Sequence, residues 1–415
     1  ADALETMAMA FRAEDVPAVG YRTYRMASTT TTPVAPARFK DGVLENTFYR
    51  ICFDPAGGGI ASIFDKRLGR ELVDQASPHK LGQLIYAAGG KCEGHNWVHC
   101  PEPGAVSFSA MTNGRLEAGA QGPVYSSARI ACGMEMFPRI QLETILYEHE
   151  PRVDFVFRLH KKMTYDKEAV YLAFPFAGSE PRFRYEIGAG NVRPNEDHWP
   201  GGCRDWFAVQ RWVTLHTREA AVAWSAVDTP LVTLCDFTPG KWLDELPITN
   251  GTIFAYVMNN YWFTNYKAGQ DDDFVFRYSL TSAQQLSPET ASVFGEDVQA
   301  PLRAVRLFAG RERQDLPAAA SFLAVEPADR VTLTVAKPAD DGKGVIARLR
   351  ETSGQQTEVV LTVRFPGAIR ASLCDLVERV VEPLVLTDGQ VKVPVRANGM
   401  ATIRLEWDRP LTAAR

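Results

Sequence analysis

The stretch Val153-Asp154-Phe155-Val156-Phe157-Arg158-Leu159-His160 decides the fold class, because its apolar side chains recur at every second position. A period of two places alternate side chains on opposite faces of a β-strand, so one face of this strand is buried and the other is mostly wet. Ile140 and Leu142 begin a similar pattern upstream, and Glu150-Pro151-Arg152 has the composition of a turn between them. We therefore predict an antiparallel hairpin here.

The same pattern extends upstream of this hairpin. Phe48–Phe53 and Ile60–Phe64 flank Asp54-Pro55-Ala56-Gly57-Gly58, where proline fixes φ and glycine permits a positive φ, so the sequence predicts a turn within a β-meander. Helical stripes are scarce. The best helix candidate is Ser287–Gln299, since Ser287 can cap it and Pro288 suits its first position. The chain is therefore predicted to be mainly β, with one short connecting helix.

Short β-branched segments follow this helix at a regular spacing, which is typical of a second, smaller β-sandwich. They are Val331–Val335, Val345–Leu349, Val359–Val363 and Val391–Val395. Near the amino terminus, Val16–Tyr24 has the pattern of a strand that needs a partner. We predict three parts: residues 1–35, whose strand pairs with the carboxy-terminal sandwich; residues 36–298, a large sandwich; and residues 299–415, a small sandwich.

The composition limits the class of protein. The 415 residues carry 45 basic and 50 acidic side chains and form no basic stripe that would track phosphates, so no nucleic-acid partner is predicted. No apolar run approaches the roughly 20 residues that span a bilayer, so no membrane segment is predicted. Seven cysteines without a regular framework are typical of free thiols in a reducing cytoplasm. The start, Ala1-Asp2-Ala3-Leu4-Glu5, lacks signal-peptide features and an initiator methionine, so we expect the chain to begin within a longer protein.

A search for motifs finds no complete catalytic or metal site. Cys92, His95, His99 and Cys100 are possible zinc ligands, but adjacent side chains diverge in extended backbone, so an ordinary polar loop is the better interpretation and no metal is predicted. No His-Glu-x-x-His, no Gly-x-Ser-x-Gly and no glycine-rich phosphate loop occurs. Asp271-Asp272-Asp273 is expected to be a solvated loop or turn. No residue of this chain is therefore predicted to be catalytic.

Two stretches combine aromatic and polar side chains, Trp199–Trp212 and Asn259–Gln270. Sugars offer apolar C–H faces that stack on aromatic rings, and hydroxyl groups that bind amides, carboxylates and guanidinium groups, so this mixture suits a carbohydrate cleft. The alternative is structural, because large sandwiches also use tryptophan and tyrosine as core and loop anchors. The stretches thus indicate sugar contact without excluding a purely structural role.

The order of several short motifs resembles that of glycoside hydrolase family 38, the α-mannosidase family. Leu44–Ile51, Gly58–Lys66 and Gly69–Leu72 are similar to the start of its β-region. Further segments follow the family order over nearly the whole chain: Asp15–Tyr21, Asn191–Pro194, Asp205–Trp212, Asn259–Gln270 and Gly344–Leu349. The resemblance implies a galactose-mutarotase-like supersandwich followed by a small β-sandwich. In the family, these lie behind an amino-terminal β/α barrel that carries the zinc ligands and an aspartate nucleophile.

The residues of that barrel cannot be carried over to this chain. The family's zinc ligands include a His-x-Asp pair, and none of the seven histidines here is followed two residues later by Asp. We therefore expect zinc only in the missing catalytic domain, and no cofactor in this chain. The resemblance implies that loops of the large sandwich face the barrel and help to bind substrate. The candidate substrate-binding residues are Asn259, Tyr261, Trp262 and Asn265, with Arg193, Asp205 and Arg211 behind them.

The predicted function is that of a non-catalytic carboxy-terminal β-region of an α-mannosidase-like glycoside hydrolase, which supports and partly lines the carbohydrate cleft and is inactive alone. Its expected partners are an α-mannoside-like carbohydrate and its own missing catalytic domain, and self-association into a homo-oligomer is left open. One alternative is a mutarotase-type sugar epimerase, which needs a general acid and a general base around one sugar, with His149, His160 or His216 as candidates. The long carboxy-terminal extension argues against it. The other alternative is a purely structural or carbohydrate-binding module.

Overall fold

The computed structural model describes residues 10–25, 38–89, 106–237, 243–260, 268–307, 317–364 and 368–407. Within these ranges the chain is mainly β, which confirms the predicted fold class, and one helix, α1 (Pro288–Gln299), interrupts the strands. Ahead of the helix lie β1 (Gly20–Arg22), β2 (Phe39–Lys40), β3 (Val43–Glu45), β4 (Tyr49–Asp54), β5 (Gly59–Asp65), β6 (Arg70–Glu71), β7 (Gln83–Gly89), β8 (Val106–Ala110), β9 (Arg115–Gln121), β10 (Tyr125–Cys132), β11 (Arg139–Tyr147), β12 (Val153–Lys161), β13 (Glu168–Phe176), β14 (Arg182–Ile187), β15 (Gly190–Val192), β16 (Phe207–Ala208), β17 (Trp212–His216), β18 (Ala221–Ala226), β19 (Leu231–Leu234), β20 (Gly251–Asn259) and β21 (Asp272–Ala283). After it come β22 (Ala319–Ser321), β23 (Leu323–Glu326), β24 (Val331–Pro338), β25 (Val345–Glu351), β26 (Thr357–Val363), β27 (Ala368–Cys374), β28 (Val380–Leu384), β29 (Leu386–Thr387), β30 (Gln390–Val395) and β31 (Met400–Trp407).

Two antiparallel sheets form a large sandwich. One has nine strands in the order β15-β14-β17-β18-β21-β12-β11-β10-β9, and the other has six in the order β16-β19-β20-β13-β7-β8. Phe174, in β13 of the six-stranded sheet, contacts Trp224 and Tyr278 of the nine-stranded sheet, with ring centroids 5.2 and 5.1 Å apart. The two sheets therefore pack face to face around a single apolar core.

The predicted hairpin is present as β11 and β12, which confirms the period-two interpretation. Leu142 pairs with Phe157, and Ile140 pairs with Leu159. The alternate apolar side chains of β12 point into the core, whereas Arg158 on the opposite face is exposed. β13 is buried along its whole length because it lies inside the six-stranded sheet and both of its faces are covered.

The predicted meander forms a five-stranded sheet, β2-β3-β4-β5-β6, against the large sandwich. Its central turn is closed by two hydrogen bonds: the Gly57 N–H donates to Asp54 Oδ1 at 2.8 Å, and the Gly58 N–H donates to the Pro55 carbonyl oxygen at 3.2 Å. Gly58 has a φ of +75°, a conformation that glycine adopts without steric cost.

Helix α1 begins and ends where the sequence predicts. The Ser287 hydroxyl accepts a hydrogen bond from the Thr290 N–H at 3.2 Å and so caps the first turn. Gly295 allows the helix to lie directly on β17, since an added Cβ would come within 2.9 Å of Trp212 Cδ1. In the described part of the chain, no helix has the length and apolar character needed to cross a bilayer.

The strands after α1 enclose a second core. The sheets β23-β26-β30-β29 and β24-β25-β31-β27-β28 pack apolar side chains that include Leu349, Leu361 and Ile403. β1 pairs with β22, just ahead of this small sandwich, with Gly20 opposite Ser321. The boundaries of the three predicted parts, at residues 35 and 298, stay a prediction.

Replacing Gly58 with alanine should destabilise the protein more than the matched replacement of Gly69. Both glycines have a positive φ, so each substitution costs about 1–2 kcal/mol of backbone strain. At Gly58 the new Cβ would also lie 1.9 Å from the Met111 carbonyl oxygen, whereas at Gly69 nothing lies within 4 Å. In urea unfolding, we expect Gly58→Ala to cost about 2 kcal/mol more than Gly69→Ala. Equal losses would contradict this packing of the turn.

Candidate functional site

The segment Asn259–Gln270 connects the end of β20 to the start of β21. Asn259 is the last residue of β20, and its side chain is exposed. Tyr261, Trp262 and Asn265 lie outside the described residues. Contact between this segment and a sugar therefore stays a prediction, but the structure shows how the segment begins and ends.

A buried ion pair holds both ends of this segment. Lys161 has no exposed side-chain surface, and its Nζ lies 2.6 Å from Glu168 Oε1 and donates to the Gln270 carbonyl oxygen at 2.8 Å. The other oxygen of Glu168 accepts a hydrogen bond from Tyr86 Oη at 2.9 Å. At the opposite end, Asn260 Oδ1 accepts from the backbone N–H of Glu168 at 2.6 Å. The pair therefore fixes the distance between the two ends.

The sequence of β12 contains a signal for this pair. The buried face of β12 comprises positions 153, 155, 157 and 159, and Lys161 occupies the next position on the same face. An isolated buried charge costs several kcal/mol, so a lysine in that place needs a buried anion. The alternation of β12 therefore indicates a buried ion pair, although it does not identify Glu168 as the partner.

Arg193 and Asp205 lie in the loop between β15 and β16. Arg193 Nε and Nη2 donate to the two oxygens of Asp197 at 3.0 and 3.1 Å, and hydrogen bonding from Arg193 lowers the pKa of this partly exposed carboxyl. Asp205 is buried. Within the described ranges, Arg193 and Arg211 share no hydrogen bond with Asn259, so these predicted residues do not form one polar network. Their contact with a sugar stays a prediction.

Arg211 belongs to a buried ion-pair network. Its Nε and Nη2 donate to the two oxygens of Glu186 at 2.8 and 2.6 Å, and its Nη1 pairs with Glu296 of α1. Glu186 is fully buried and also accepts from Arg350 Nη2 of β25 at 2.6 Å. Burial alone would lower the pKa of Arg211, but the Glu186 carboxylate outweighs this effect and raises it above the ordinary value. The network therefore gives Arg211 a structural role between the two sandwiches.

One group of metal-ligating atoms lies together within the described ranges. His160, Asp272 and Asp273 have ligand atoms within 4.8 Å of one another, at a partly exposed position. Asp273 already accepts hydrogen bonds from Arg139 Nη2 at 2.6 Å and His160 Nδ1 at 2.8 Å. Because the Arg139 cation supplies the counter-charge, we assign no metal to this group. The cysteine–histidine cluster at residues 92–100 lies outside the described residues.

The three histidines considered for an epimerase do not face one another. His149 is exposed in the turn between β11 and β12, His160 lies near the far end of β12, and His216 lies on β17. β17 is three strands away from β12 in the same sheet. Neighbouring strands are about 4.8 Å apart, so β12 and β17 are separated by about 14 Å. His160 and His216 therefore do not flank one sugar ring together. An acid–base pair of one of these histidines with a carboxylate, which is the usual solution for an epimerase, stays a prediction.

A surface depression of about 380 Å³ lies between two loops of the large sandwich. The Asn195 side chain crosses it, since its Nδ2 donates to the Leu246 carbonyl oxygen at 2.9 Å and its Oδ1 accepts from the Leu246 N–H at 2.8 Å. The remaining lining consists of Glu245, Pro247 and Ile248. Because its central amide is engaged with backbone on both sides, we assign no ligand to this depression.

The variant Lys161→Met should destabilise the protein by about 3–5 kcal/mol, because it leaves Glu168 as a buried, unpaired carboxylate. A double variant, Lys161→Met with Glu168→Gln, removes both charges and should lose less than the single variant in urea unfolding. Lys392→Met is the control, since this lysine is 68% exposed and 4.0 Å from its partner, and should change stability by less than about 0.5 kcal/mol. A double variant less stable than Lys161→Met would contradict the assignment.

Two sequence-family models match the chain in order. The glycosyl hydrolases family 38 C-terminal domain matches residues 44–224, and the family 38 C-terminal beta sandwich domain matches residues 330–403. No curated protein sequence matches the chain.

Solved structures show the same fold. An alpha-mannosidase from Enterococcus faecalis V583 superposes with a TM-score of 0.65 at 16% identity, covering 88% of this chain and 42% of that one. A glycosyl hydrolase family 38 protein from Enterococcus faecalis gives 0.67 at 14% identity, over 91% of this chain and 45% of that one. A galactose 1-epimerase from Lactobacillus acidophilus reaches 0.40 at 11% identity, over 61% of this chain and 98% of that one, which is too low to carry an argument.

The chain therefore spans less than half the length of these two Enterococcus faecalis structures while sharing their fold over most of its own length. The resemblance found in the sequence is confirmed by both carboxy-terminal family models. This chain belongs to glycoside hydrolase family 38 and corresponds to the carboxy-terminal region of the family's proteins.

Proposed function

We propose that this chain is the non-catalytic carboxy-terminal β-region of an α-mannosidase-like glycoside hydrolase, and that it supports and partly lines the carbohydrate cleft of the whole enzyme. The observation that carries the proposal is the ordered match of both carboxy-terminal family 38 models. Since the chain covers 42% of the Enterococcus faecalis alpha-mannosidase, the larger part of such an enzyme is left to supply the catalytic groups.

The paired state of the buried carboxylates supports a non-catalytic role. Retaining glycosidases normally place two carboxyl groups about 5–5.5 Å apart around the scissile bond, one of them protonated. Several buried carboxylates of the described chain are instead engaged in ion pairs with lysine or arginine side chains. These pairs are Asp65 with Arg67, Asp154 with Arg152, Glu168 with Lys161, and Glu186 with Arg211.

The zinc ion that the resemblance implies would bind outside this chain. The group of His160, Asp272 and Asp273 does not fit it, because Arg139 already neutralises Asp273. No step of the hydrolysis is therefore assigned to these residues. The part of this chain would be to position its loops against the sugar.

The segment Asn259–Gln270 is the part that we propose to line the cleft. Its two ends are held by the buried pair of Lys161 and Glu168. Fixed ends reduce the conformational entropy that a binding loop loses when it contacts a ligand. For this reason we propose substrate contact first for the segment Asn259–Gln270, and only second for Arg193 and Asp205.

We also propose a cytoplasmic location. All five cysteines in the described ranges are free thiols, which is the state expected in a reducing compartment. Self-association into a homo-oligomer stays a prediction.

The isolated chain should not hydrolyse an aryl α-mannoside, whereas the full-length enzyme should release the chromogenic aglycone. The physical reason is that the carboxyl groups for bond cleavage lie outside this chain. The measurement is a chromogenic assay at matched molar concentration, with the folding of the isolated chain checked by circular dichroism. Turnover by the purified isolated chain, at a rate that survives a second purification, would contradict the non-catalytic role.

In the full-length enzyme, Trp262→Ala should lower kcat/KM for the aryl α-mannoside about two- to tenfold, because ring stacking is worth about 0.5–1.5 kcal/mol. Val385→Ala is the control, since Val385 is 81% exposed on the small sandwich and far along the chain from the segment. Unchanged kinetics in Trp262→Ala would favour a purely structural scaffold over a cleft-lining role.

A further inference from the structure

An exposed indole stands on a tight turn of the large sandwich. Trp199 is 86% exposed, and the Gly202 N–H donates to the Trp199 carbonyl oxygen at 3.0 Å. Pro200 suits the second position of such a turn, and Gly201 has the positive φ, +74°, that the third position of a type II turn requires. The indole of Trp199 therefore lies in solvent and is not part of the core.

The same turn binds a buried arginine. Arg204 is 5% exposed, and its Nη1 donates to the Gly202 carbonyl oxygen at 2.7 Å. Its Nε is buried without a hydrogen-bond partner, and no carboxylate oxygen of the described residues lies within 4.0 Å of the guanidinium. The other two buried arginines of the described chain, Arg350 and Arg404, each pair with a carboxylate. Arg204 is thus the exception among them.

Asp205, the next residue, is buried, but neither of its oxygens lies within 4.0 Å of the Arg204 guanidinium. Two other acids of the same loop are already engaged. Arg193 forms ion pairs with both Glu196 and Asp197. A guanidinium cannot lose its proton in a protein, and an uncompensated buried ion costs several kcal/mol. Arg204 therefore needs an anion that the described part of the chain does not supply.

The imidazole of His198 interacts electrostatically with this guanidinium. His198 Nε2 lies 2.6 Å from Tyr185 Oη, and the ring packs against Phe207 with centroids 5.4 Å apart. Burial, and after it the positive charge of Arg204, lower the pKa of His198, against a smaller opposite effect of Asp197. The ring is therefore neutral at pH 7, and its titration reports on the charge at Arg204.

We propose that Arg204 and Trp199 form a binding site for an anionic saccharide, with the anionic oxygens of a carboxylate or phosphate group on the guanidinium and a sugar face on the indole. Nη2 of Arg204 has no hydrogen-bond partner among the described residues and, unlike Nε, is not closed off from solvent, so its N–H groups can donate to the anion. A neutral sugar would leave the buried charge uncompensated. This site is independent of the proposed role in mannoside hydrolysis.

The test is a titration of the isolated chain with glucuronate, mannose 6-phosphate and methyl α-mannoside, followed by NMR of the Trp199 indole N–H and the His198 ring. Both anionic sugars should give saturable shifts, and the better of the two identifies the source of the anion. Methyl α-mannoside should bind at least about tenfold more weakly, a difference of about 1.4 kcal/mol. Saturation with an anionic sugar should raise the pKa of His198, because the charge of Arg204 is then compensated.

Variants decide whether these two residues form the site. Arg204→Met and Trp199→Ala should each weaken binding at least about tenfold, whereas Arg218→Met, which removes an exposed arginine paired with Glu180 elsewhere on the large sandwich, should change it less than about twofold. Arg204→Lys retains the charge without the planar fork and should retain the preference for anions at reduced affinity, which separates loss of binding from loss of folding. Equal binding of methyl α-mannoside, equal binding of inorganic phosphate and mannose 6-phosphate, or full binding by a folded Arg204→Met variant would each overturn the proposal.

Discussion

Glu186 lies fully buried where the large and small sandwiches meet, and its carboxylate accepts hydrogen bonds from Arg211 and Arg350. Removing three charges from water is expensive, and the cost is offset only when each group finds its partners in good geometry. The carboxylate belongs to β14, Arg211 immediately precedes β17, and Arg350 belongs to β25, so a shift of one sandwich against the other would leave a charge unpaired. Apolar faces can slide past one another, but this network permits a single relative position, to which α1 is tied through Glu296.

A buried ion pair also constrains the candidate substrate segment, Asn259–Gln270. Lys161 and Glu168 stand at the end of β12 and the start of β13, and their hydrogen bonds reach both Asn260 and Gln270. A loop whose ends depended on surface ion pairs would gain little, because such pairs are screened by water and salt. A pair with almost no exposed surface is screened much less, so it can fix the ends of the segment Asn259–Gln270.

The fold followed from the sequence because its determinants are local. Alternation in β12, the turn at residues 54–58 and the cap at Ser287 each depend on neighbours within a few positions, where side-chain spacing and allowed φ decide the outcome. The role of Arg211 could not be predicted in that way. Its partner Glu186 is 25 residues away, and Glu186 also binds Arg350, which is 164 residues away from it. Asn259 lies at the end of β20, and whether its amide meets a sugar depends on contacts that no local pattern encodes.

Arg204 and Arg211 are seven residues apart in the sequence. Their partners, rather than their charges, indicate the role of each arginine. The guanidinium of Arg211 pairs with two carboxylates of its own chain, Glu186 and Glu296, and these pairs account for its presence in the interior. Arg204 is as deeply buried as the other arginines that the core retains, yet its guanidinium meets one carbonyl oxygen and no described carboxylate. Replacing a buried charged side chain with an apolar one of similar volume is often neutral or stabilising, so stability does not account for Arg204. The cost is explained if the missing anion arrives with a ligand, and the exposed indole of Trp199 on the same turn gives that ligand an apolar face to bind.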